Sequence, residues 1–121
     1  MGQVAVELPA SDAPCILETS MNLPCVYILA SRTRGVSYVG VTSDLVKRVW
    51  QHRNECADGF TKRYRIKRLV WYEVHETMES AIRREKAIKK WYRDWKLDLI
   101  EESNPGWVDL YDEILGMVDD P

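Results

Sequence analysis

The sequence predicts an α+β fold, a small antiparallel sheet of three strands flanked by helices. Three runs of strand-forming residues, 25–30, 36–41 and 69–76, stand apart from two segments with helical periodicity. The first run is apolar throughout, which is typical of a strand buried on both faces. With 121 residues and 45% hydrophobic content, the chain is long enough for one compact domain with a core.

The first two strands are expected to form a hairpin, because a polar loop from Ser31 to Gly35 joins them. Gly40 lies near the end of the second strand and has no side chain. A glycine inside a strand lets a ligand or another stretch of backbone approach closely. Gly40 is therefore a candidate for contact with a bound group.

The first helix is predicted from Asp44 to about Cys56. The pair Ser43-Asp44 is a helix start signal. Arg48 and His52 are four residues apart, so they lie on one face of this helix. A fixed cation and an imidazole are thereby brought together.

The second helix is predicted over 78–91, with Thr77 as its cap. Glu85 lies three residues before Ile88 and falls within the apolar stripe of this helix. A carboxylate on a stripe that faces the core must be paired or must hold a metal. Glu85 is therefore either a metal ligand or the partner of Arg48 in a buried ion pair.

The remaining segments carry weaker signals. Residues 57–68 are predicted to form a basic loop. A third helix is expected to begin near Asp94 and to end before Pro105. A last short helix is expected within 108–115, with Gly116 as its stop.

The charges are distributed unevenly along the chain, although the net charge is only −2. All 17 Lys and Arg lie within 25–100, where the net charge is +8. Residues 1–24 carry −3 and residues 101–121 carry −7. A basic centre interspersed with aromatic residues indicates a polyanionic partner such as nucleic acid, while a solvated charged surface is the alternative.

Several classes of protein are excluded by composition. No apolar run approaches the roughly 18 residues of a membrane span, and no secretory signal is present. Cys15, Cys25 and Cys56 are an odd number without a Cys-x-x-Cys pair, so neither a disulfide framework nor a zinc site is expected. Free thiols favour a reducing cytoplasm. Residues 1–24, with three prolines and weak periodicity, are expected to be a mobile extension.

Five residues form the constellation with the clearest chemistry: Tyr27, Tyr38, Arg48, His52 and Glu85. Two phenols, a cation, an imidazole and a carboxylate lie on elements that can converge on one side of a small sheet. That inventory suits metal-assisted phosphodiester hydrolysis. Taken singly, the two tyrosines are also explained by strand packing, and the Arg and His by an exposed helix face.

The same residues resemble the GIY-YIG nuclease family. Cys25-Val26-Tyr27 and Tyr38-Val39-Gly40 correspond to its two name motifs, with Cys25 standing where the first motif has Gly. The resemblance covers residues 25 to about 110. It continues through Gly40-Val41-Thr42, Leu45, Arg48, His52, Thr61-Lys62-Arg63-Tyr64, Arg84-Glu85-Lys86 and Asn104-Pro105-Gly106-Trp107. The chain is most similar to small stand-alone bacterial members and to the nuclease module of the bacterial excinuclease, which associates it with DNA repair.

The resemblance implies an endonuclease that uses Mg²⁺ or Mn²⁺. Glu85 would hold the metal, and Arg48 would stabilise the charge that develops on the phosphate. Tyr27 would activate water with the help of Tyr38 and His52. Because an isolated phenol titrates near pH ~10, Tyr27 would need a neighbouring cation or metal to do so.

The resemblance also implies a nuclease domain over 25–115 and an acidic tail over 116–121. Its expected contacts with nucleic acid are Gly40, Thr61, Lys62, Arg63, Tyr64 and Asn104. For the loop residues, a flexible basic loop is the alternative, and for Asn104 an ordinary helix stop.

Two other functions fit the same sequence. The first is a nucleic-acid-binding module that kept the fold without cleaving. The second is an interaction module in which the acidic C-terminal segment meets a basic partner. If the chain is a nuclease, a partner protein or a homodimer would supply its specificity.

Overall fold

The computed structural model describes residues 23–54 and 59–116, and it confirms the predicted α+β fold. Three antiparallel strands form one sheet in the order β2-β1-β3. In the described residues the elements are β1 (Cys25–Ala30), β2 (Ser37–Thr42), α1 (Leu45–Arg53), α2 (Gly59–Arg63), β3 (Arg68–Val74), α3 (Met78–Lys89), α4 (Arg93–Ser103) and α5 (Tyr111–Leu115).

β1 lies in the middle of the sheet, and each of its six residues is buried. Its apolar sequence therefore predicts its position correctly. Side chains alternate between the two faces of a strand. Val26 and Ile28 consequently lie on one face of the sheet, and Tyr27 and Leu29 on the other.

Two hydrophobic clusters cover these faces. Val26 and Ile28 pack with Ala81 and Ile88 of α3 and with Ile100 of α4. The opposite face packs against α1 and against the C-terminal part of the chain, through the side chains of Leu45, Val46, Val49, Ile66, Leu69 and Ile114. The helices α1 and α3 are therefore separated by the thickness of the sheet.

Both predicted helix starts are confirmed by capping hydrogen bonds. The Asp44 side chain accepts a bond from the Lys47 amide at 3.2 Å. The Thr77 hydroxyl accepts one from the Ser80 amide at 3.1 Å. Such caps satisfy amides that lack partners in the first turn. The predicted end of α1 near Cys56 lies outside the described residues.

The predicted basic loop over 57–68 is wrong in part, because Gly59–Arg63 forms the short helix α2. Phe60 and Tyr64 are four residues apart, and their rings lie 5.1 Å from each other, centroid to centroid. Aromatic pairs at this spacing stabilise a helical turn.

The ends of the chain are described only in part. The last helix begins at Tyr111 instead of near residue 108, because the Val108 amide donates to Asn104 Oδ1 and the segment stays non-helical. Gly116 caps this helix, as predicted. The predicted extension over 1–24 and the acidic tail lie outside the described residues except for Leu23, Pro24 and Gly116. No helix in the described part of the chain is long and apolar enough to cross a membrane.

Candidate active site

Tyr27, Arg48 and His52 form a hydrogen-bonded group on the α1 face of the sheet. The Tyr27 phenol oxygen lies 3.3 Å from His52 Nε2 and accepts a bond from Arg48 Nε at 3.4 Å. Tyr27 projects from the central strand, and the other two residues lie one turn apart on α1. Both Tyr27 and His52 are 1% exposed, so this phenol and imidazole meet in a site shielded from water.

Tyr38 completes the group at its solvent side. Its ring centroid lies 5.4 Å from that of His52 and 6.3 Å from that of Tyr27. Tyr38 is half-buried, so its phenol borders both the buried group and the solvent. Four of the five residues predicted for the constellation are therefore neighbours.

Arg48 is held as a permanent cation. Its Nη1 donates to Gln51 Oε1 at 3.3 Å, and its Nε donates to Tyr27. Burial lowers the pKa of the Arg48 guanidinium, but its interactions with the Tyr27 and Tyr38 phenols outweigh burial and raise the pKa above its ordinary value. A charged, half-buried guanidinium fixed on two sides is suited to meeting a phosphate.

Gly40 explains how Tyr27 can occupy this position. The two residues face each other across β1 and β2. A Cβ built on Gly40 would lie 2.5 Å from both Cζ and Oη of Tyr27. The close approach predicted at this glycine is therefore made by the Tyr27 ring.

The variant Gly40→Ala is expected to displace Tyr27. We expect nuclease turnover to fall about 10²-fold, because a shift on the order of 1 Å in a catalytic group costs that much. Overpacking should also lower the free energy of unfolding by about 1–3 kcal/mol. The control is Gly59→Ala, where nothing lies within 4 Å of the added carbon. Plasmid nicking and urea denaturation are the measurements, and wild-type turnover in Gly40→Ala would contradict the prediction.

Glu85 lies apart from the other four residues. It is 8% exposed on α3, which packs against β1 and β2 from the face opposite to α1. The expectation that all five side chains share one side of the sheet is therefore wrong for Glu85. Helical periodicity places Glu85 towards the sheet but does not specify which face of the sheet α3 covers.

The ionic partner of Glu85 also differs from the one expected. Its Oε2 lies 2.6 Å from Lys89 Nζ, one turn later on α3. The alternative of a buried ion pair with Arg48 is wrong, since Arg48 contacts Tyr27 and Gln51. The Lys89 side chain is 50% exposed, so water can solvate its charge if the pair separates.

The donor chemistry at Glu85 fits a hard divalent cation. Among the described residues, no group of three or more His, Cys, Asp or Glu side chains is placed to hold a metal. Mg²⁺ is commonly bound by one or two carboxylates, with water and substrate phosphates completing its shell. A single buried carboxylate with a displaceable ammonium partner meets that requirement.

The predicted nucleic-acid residues of the basic segment lie on or next to α2. Thr61 is part of this helix, and Lys62, Arg63 and Tyr64 are exposed. Phe60, which the sequence analysis missed, is 47% exposed and its ring centroid lies 6.5 Å from that of Tyr38. The i, i+4 spacing of Phe60 and Tyr64 was the signal that would have found it. Aromatic rings therefore continue from the buried group to a basic surface.

Asn104 is placed as a structural clamp. Its Nδ2 donates to the carbonyls of Val70 at 3.1 Å and Val108 at 2.9 Å, and its Oδ1 accepts from the Val108 amide at 3.0 Å. Asn104 is 6% exposed. These contacts tie the end of α4 to β3 and hold the segment that precedes α5.

Asn104→Ala is expected to lower the free energy of unfolding by about 1–3 kcal/mol, because buried carbonyls lose their donor. Affinity for nucleic acid should stay unchanged at a temperature where the variant is folded. The control is Ser103→Ala, at an exposed neighbouring position. A variant with full stability but weaker binding would show that Asn104 contacts the nucleic acid directly.

Comparison with known proteins gives a consistent result. Residues 23–98 match the family model described as the GIY-YIG catalytic domain. A UPF0213 protein of Staphylococcus saprophyticus is 36% identical over 82 residues, which cover 68% of this chain and 99% of the relative. A UPF0213 protein of Clostridium perfringens is 37% identical over 79 residues, covering 65% of this chain and 84% of the relative. One from Staphylococcus aureus is 38% identical over 82 residues, covering 68% of this chain and 99% of the relative. No solved structure matches the chain.

Proposed function

Because the chain belongs to the GIY-YIG family, a nuclease superfamily, we propose that it is a metal-dependent endonuclease that hydrolyses phosphodiester bonds in DNA. The observation that carries the proposal is the contact of Tyr27 with both Arg48 and His52. A phenol held between a guanidinium and an imidazole, with a second phenol beside it, is a proton-transfer device next to a phosphate-binding cation.

Tyr27 acts as the base in the proposed reaction. Its oxygen accepts a bond from Arg48, so its hydrogen is directed towards His52 Nε2 when the His52 proton is on Nδ1. Transfer of the phenol proton to His52 leaves a phenolate beside the guanidinium, and a nearby cation favours that charged form. The phenolate then accepts a proton from the water that attacks the phosphorus.

Arg48 and Tyr38 position the phosphate and the water. The Arg48 guanidinium is already fixed by Tyr27 and Gln51, so it needs little rearrangement as negative charge develops on the phosphate oxygens. Tyr38, at the solvent side of the group, orients the incoming water or the scissile phosphate.

Glu85 is the proposed ligand of Mg²⁺ or Mn²⁺. A cation bound there would polarise the phosphate as a Lewis acid and stabilise the leaving oxygen. Binding requires the Lys89 ammonium to leave Oε2, and its half-exposed side chain has solvent to move into.

Plasmid nicking tests the proposed activity. Supercoiled plasmid is incubated with the full chain in Mg²⁺, in Mn²⁺ and in EDTA, beside the variant Tyr27→Phe. Nicking that needs the metal and is lost in Tyr27→Phe supports the proposal. The absence of nicking under every metal condition would overturn it.

A non-cleaving binding module is the second candidate function. The observation that favours it is the Glu85–Lys89 pair, which already neutralises the carboxylate without a metal. Such a module would bind nucleic acid through the same basic surface but would not nick plasmid in any metal.

Binding to DNA is expected to be strongly salt-dependent in both cases. The net charge of +8 over residues 25–100 implies several phosphate contacts, so affinity should fall on the order of tenfold or more between about 50 and 200 mM salt. Lys62→Ala with Arg63→Ala should reduce the salt slope by about two contacts, whereas Lys90→Ala serves as the control. Fluorescence anisotropy with a random duplex and a branched junction measures this, and a flat salt response would refute it.

We place the proposed reaction in the cytoplasm, with DNA repair as its setting. Cys25 is a free and buried thiol. Burial, with a smaller contribution from Asp44, raises the pKa of the Cys25 thiol to about 11. Since the thiolate is the reactive form, Cys25 is a structural residue and not a redox centre.

A further inference from the structure

The helix α4 separates its charged residues onto different sides. Arg93 and Lys96 line a cavity of about 170 Å³ beside the start of β2. Asp98 and Glu102 line another cavity of about 390 Å³, together with Trp91, Trp95 and Leu99. The second cavity therefore combines indole rings with carboxylates and has no cation in its lining.

Aromatic side chains at this place are unusually exposed. Trp95 is 53% exposed and Tyr92 is 73% exposed. The Trp95 ring packs edge-on against both neighbours, at 6.2 Å from the Trp91 centroid and 5.2 Å from the Tyr92 centroid. Large aromatic groups left in contact with water at one surface mark an interaction site.

The two carboxylates of this cavity are uncompensated. In the part of the chain that the structure describes, neither Asp98 nor Glu102 forms an ion pair. By contrast, Glu101 on the same helix lies 2.8 Å from Arg34. Asp98 and Glu102 are four residues apart, so they lie on one face of α4 and point their charge at the same ligand.

One of the indoles already binds a guanidinium within the chain. Arg84 lies over the Trp91 ring, with its central carbon 5.4 Å from the ring centroid. Guanidinium groups stack on indole faces and pair with carboxylates through a planar fork. The chemistry of this surface is thus already matched to arginine.

We propose that Trp91, Trp95, Asp98 and Glu102 form a docking site for an arginine-bearing segment of a partner protein. The guanidinium would stack on Trp95 and pair with the two carboxylates, which supply the complementary charge. α4 packs on the Val26 face of the sheet, opposite to the Tyr27 group. The partner would therefore bind without covering the candidate active site, and the inference does not depend on nuclease activity.

The indole N–H signals of the five tryptophans provide the test. The full chain is titrated with N-acetylarginine amide and, separately, with N-acetylcitrulline amide, which has nearly the same shape without the charge. We expect saturable shifts of the Trp91 and Trp95 signals with the arginine probe and none with citrulline. The Trp107 signal should not move, because Trp107 is buried and its Nε1 donates to Glu101 at 2.7 Å.

Two variants make the test specific to this site. The double variant Asp98→Asn/Glu102→Gln should lose the saturable shifts, while the control Asp94→Asn, elsewhere on α4, should retain them. An unchanged Trp107 signal reports that each variant is folded. Equal responses to arginine and citrulline, or shifts that persist in the double variant, would overturn the proposal.

Discussion

Arg48→Ala is expected to lower turnover at saturating DNA by about 10²–10³-fold, the usual cost of losing a preorganised donor to the transition state. The half-saturation concentration should change little. Two effects coincide in this variant, since the phosphate loses a fixed charge and the Tyr27 oxygen loses the bond at 3.4 Å. Steady-state nicking and anisotropy, measured on the same DNA, separate turnover from affinity.

Arg48→Lys should recover little of the lost turnover. Lysine keeps the charge but lacks the planar fork that contacts Tyr27 and Gln51 together. The matched control is Arg63→Ala, because Arg63 is exposed on α2 and should affect affinity alone. If Arg48→Ala raises only the half-saturation concentration, Arg48 is a docking residue.

Glu85→Gln is expected to abolish metal-dependent nicking while the free energy of unfolding without metal changes by less than about 1 kcal/mol. The small effect on stability follows from the partner, because Lys89 is half-exposed and can be hydrated when the carboxylate is replaced. A buried cation left unpaired would instead cost about 3–5 kcal/mol. Thermal unfolding with and without Mg²⁺ should show stabilisation of the wild type alone, by mass action on the native state.

Glu79→Gln is the matched control for Glu85. Glu79 forms the same i, i+4 type of pair on the same helix, with Arg83 at 3.6 Å, but it is exposed. It should retain both nicking and stabilisation by Mg²⁺. A Glu85→Gln protein that still nicks DNA would refute the assignment of Glu85 as metal ligand.

Local patterns in the sequence predict much of this structure. The apolar run at 25–30 predicts the central strand, and the start signals at Asp44 and Thr77 predict α1 and α3. The spacing of Arg48 and His52 places them together, as found. These features depend on neighbours within one or two turns, which is the range over which periodicity and capping act.

Features set by distant parts of the chain could not be predicted in the same way. Asn104 bonds to the Val70 carbonyl, 34 residues away, so its structural part depends on how α4 packs against β3. The side of the sheet on which Glu85 lies depends on the path of the chain between β3 and α3. The pairing of Glu85 with Lys89 was within helical reach, but the sequence offered Arg48 as an equally charged competitor.

The contact between Tyr27 and Gly40 has a consequence for redesign of this protein. A larger residue at position 40 is admissible only with a smaller ring or none at position 27, since a Cβ there would lie 2.5 Å from the phenol. The smaller residue would remove the proposed base. The two positions therefore form one inseparable pair, and a library that aims at new substrates should hold both fixed and diversify Tyr38 and the exposed residues of α2.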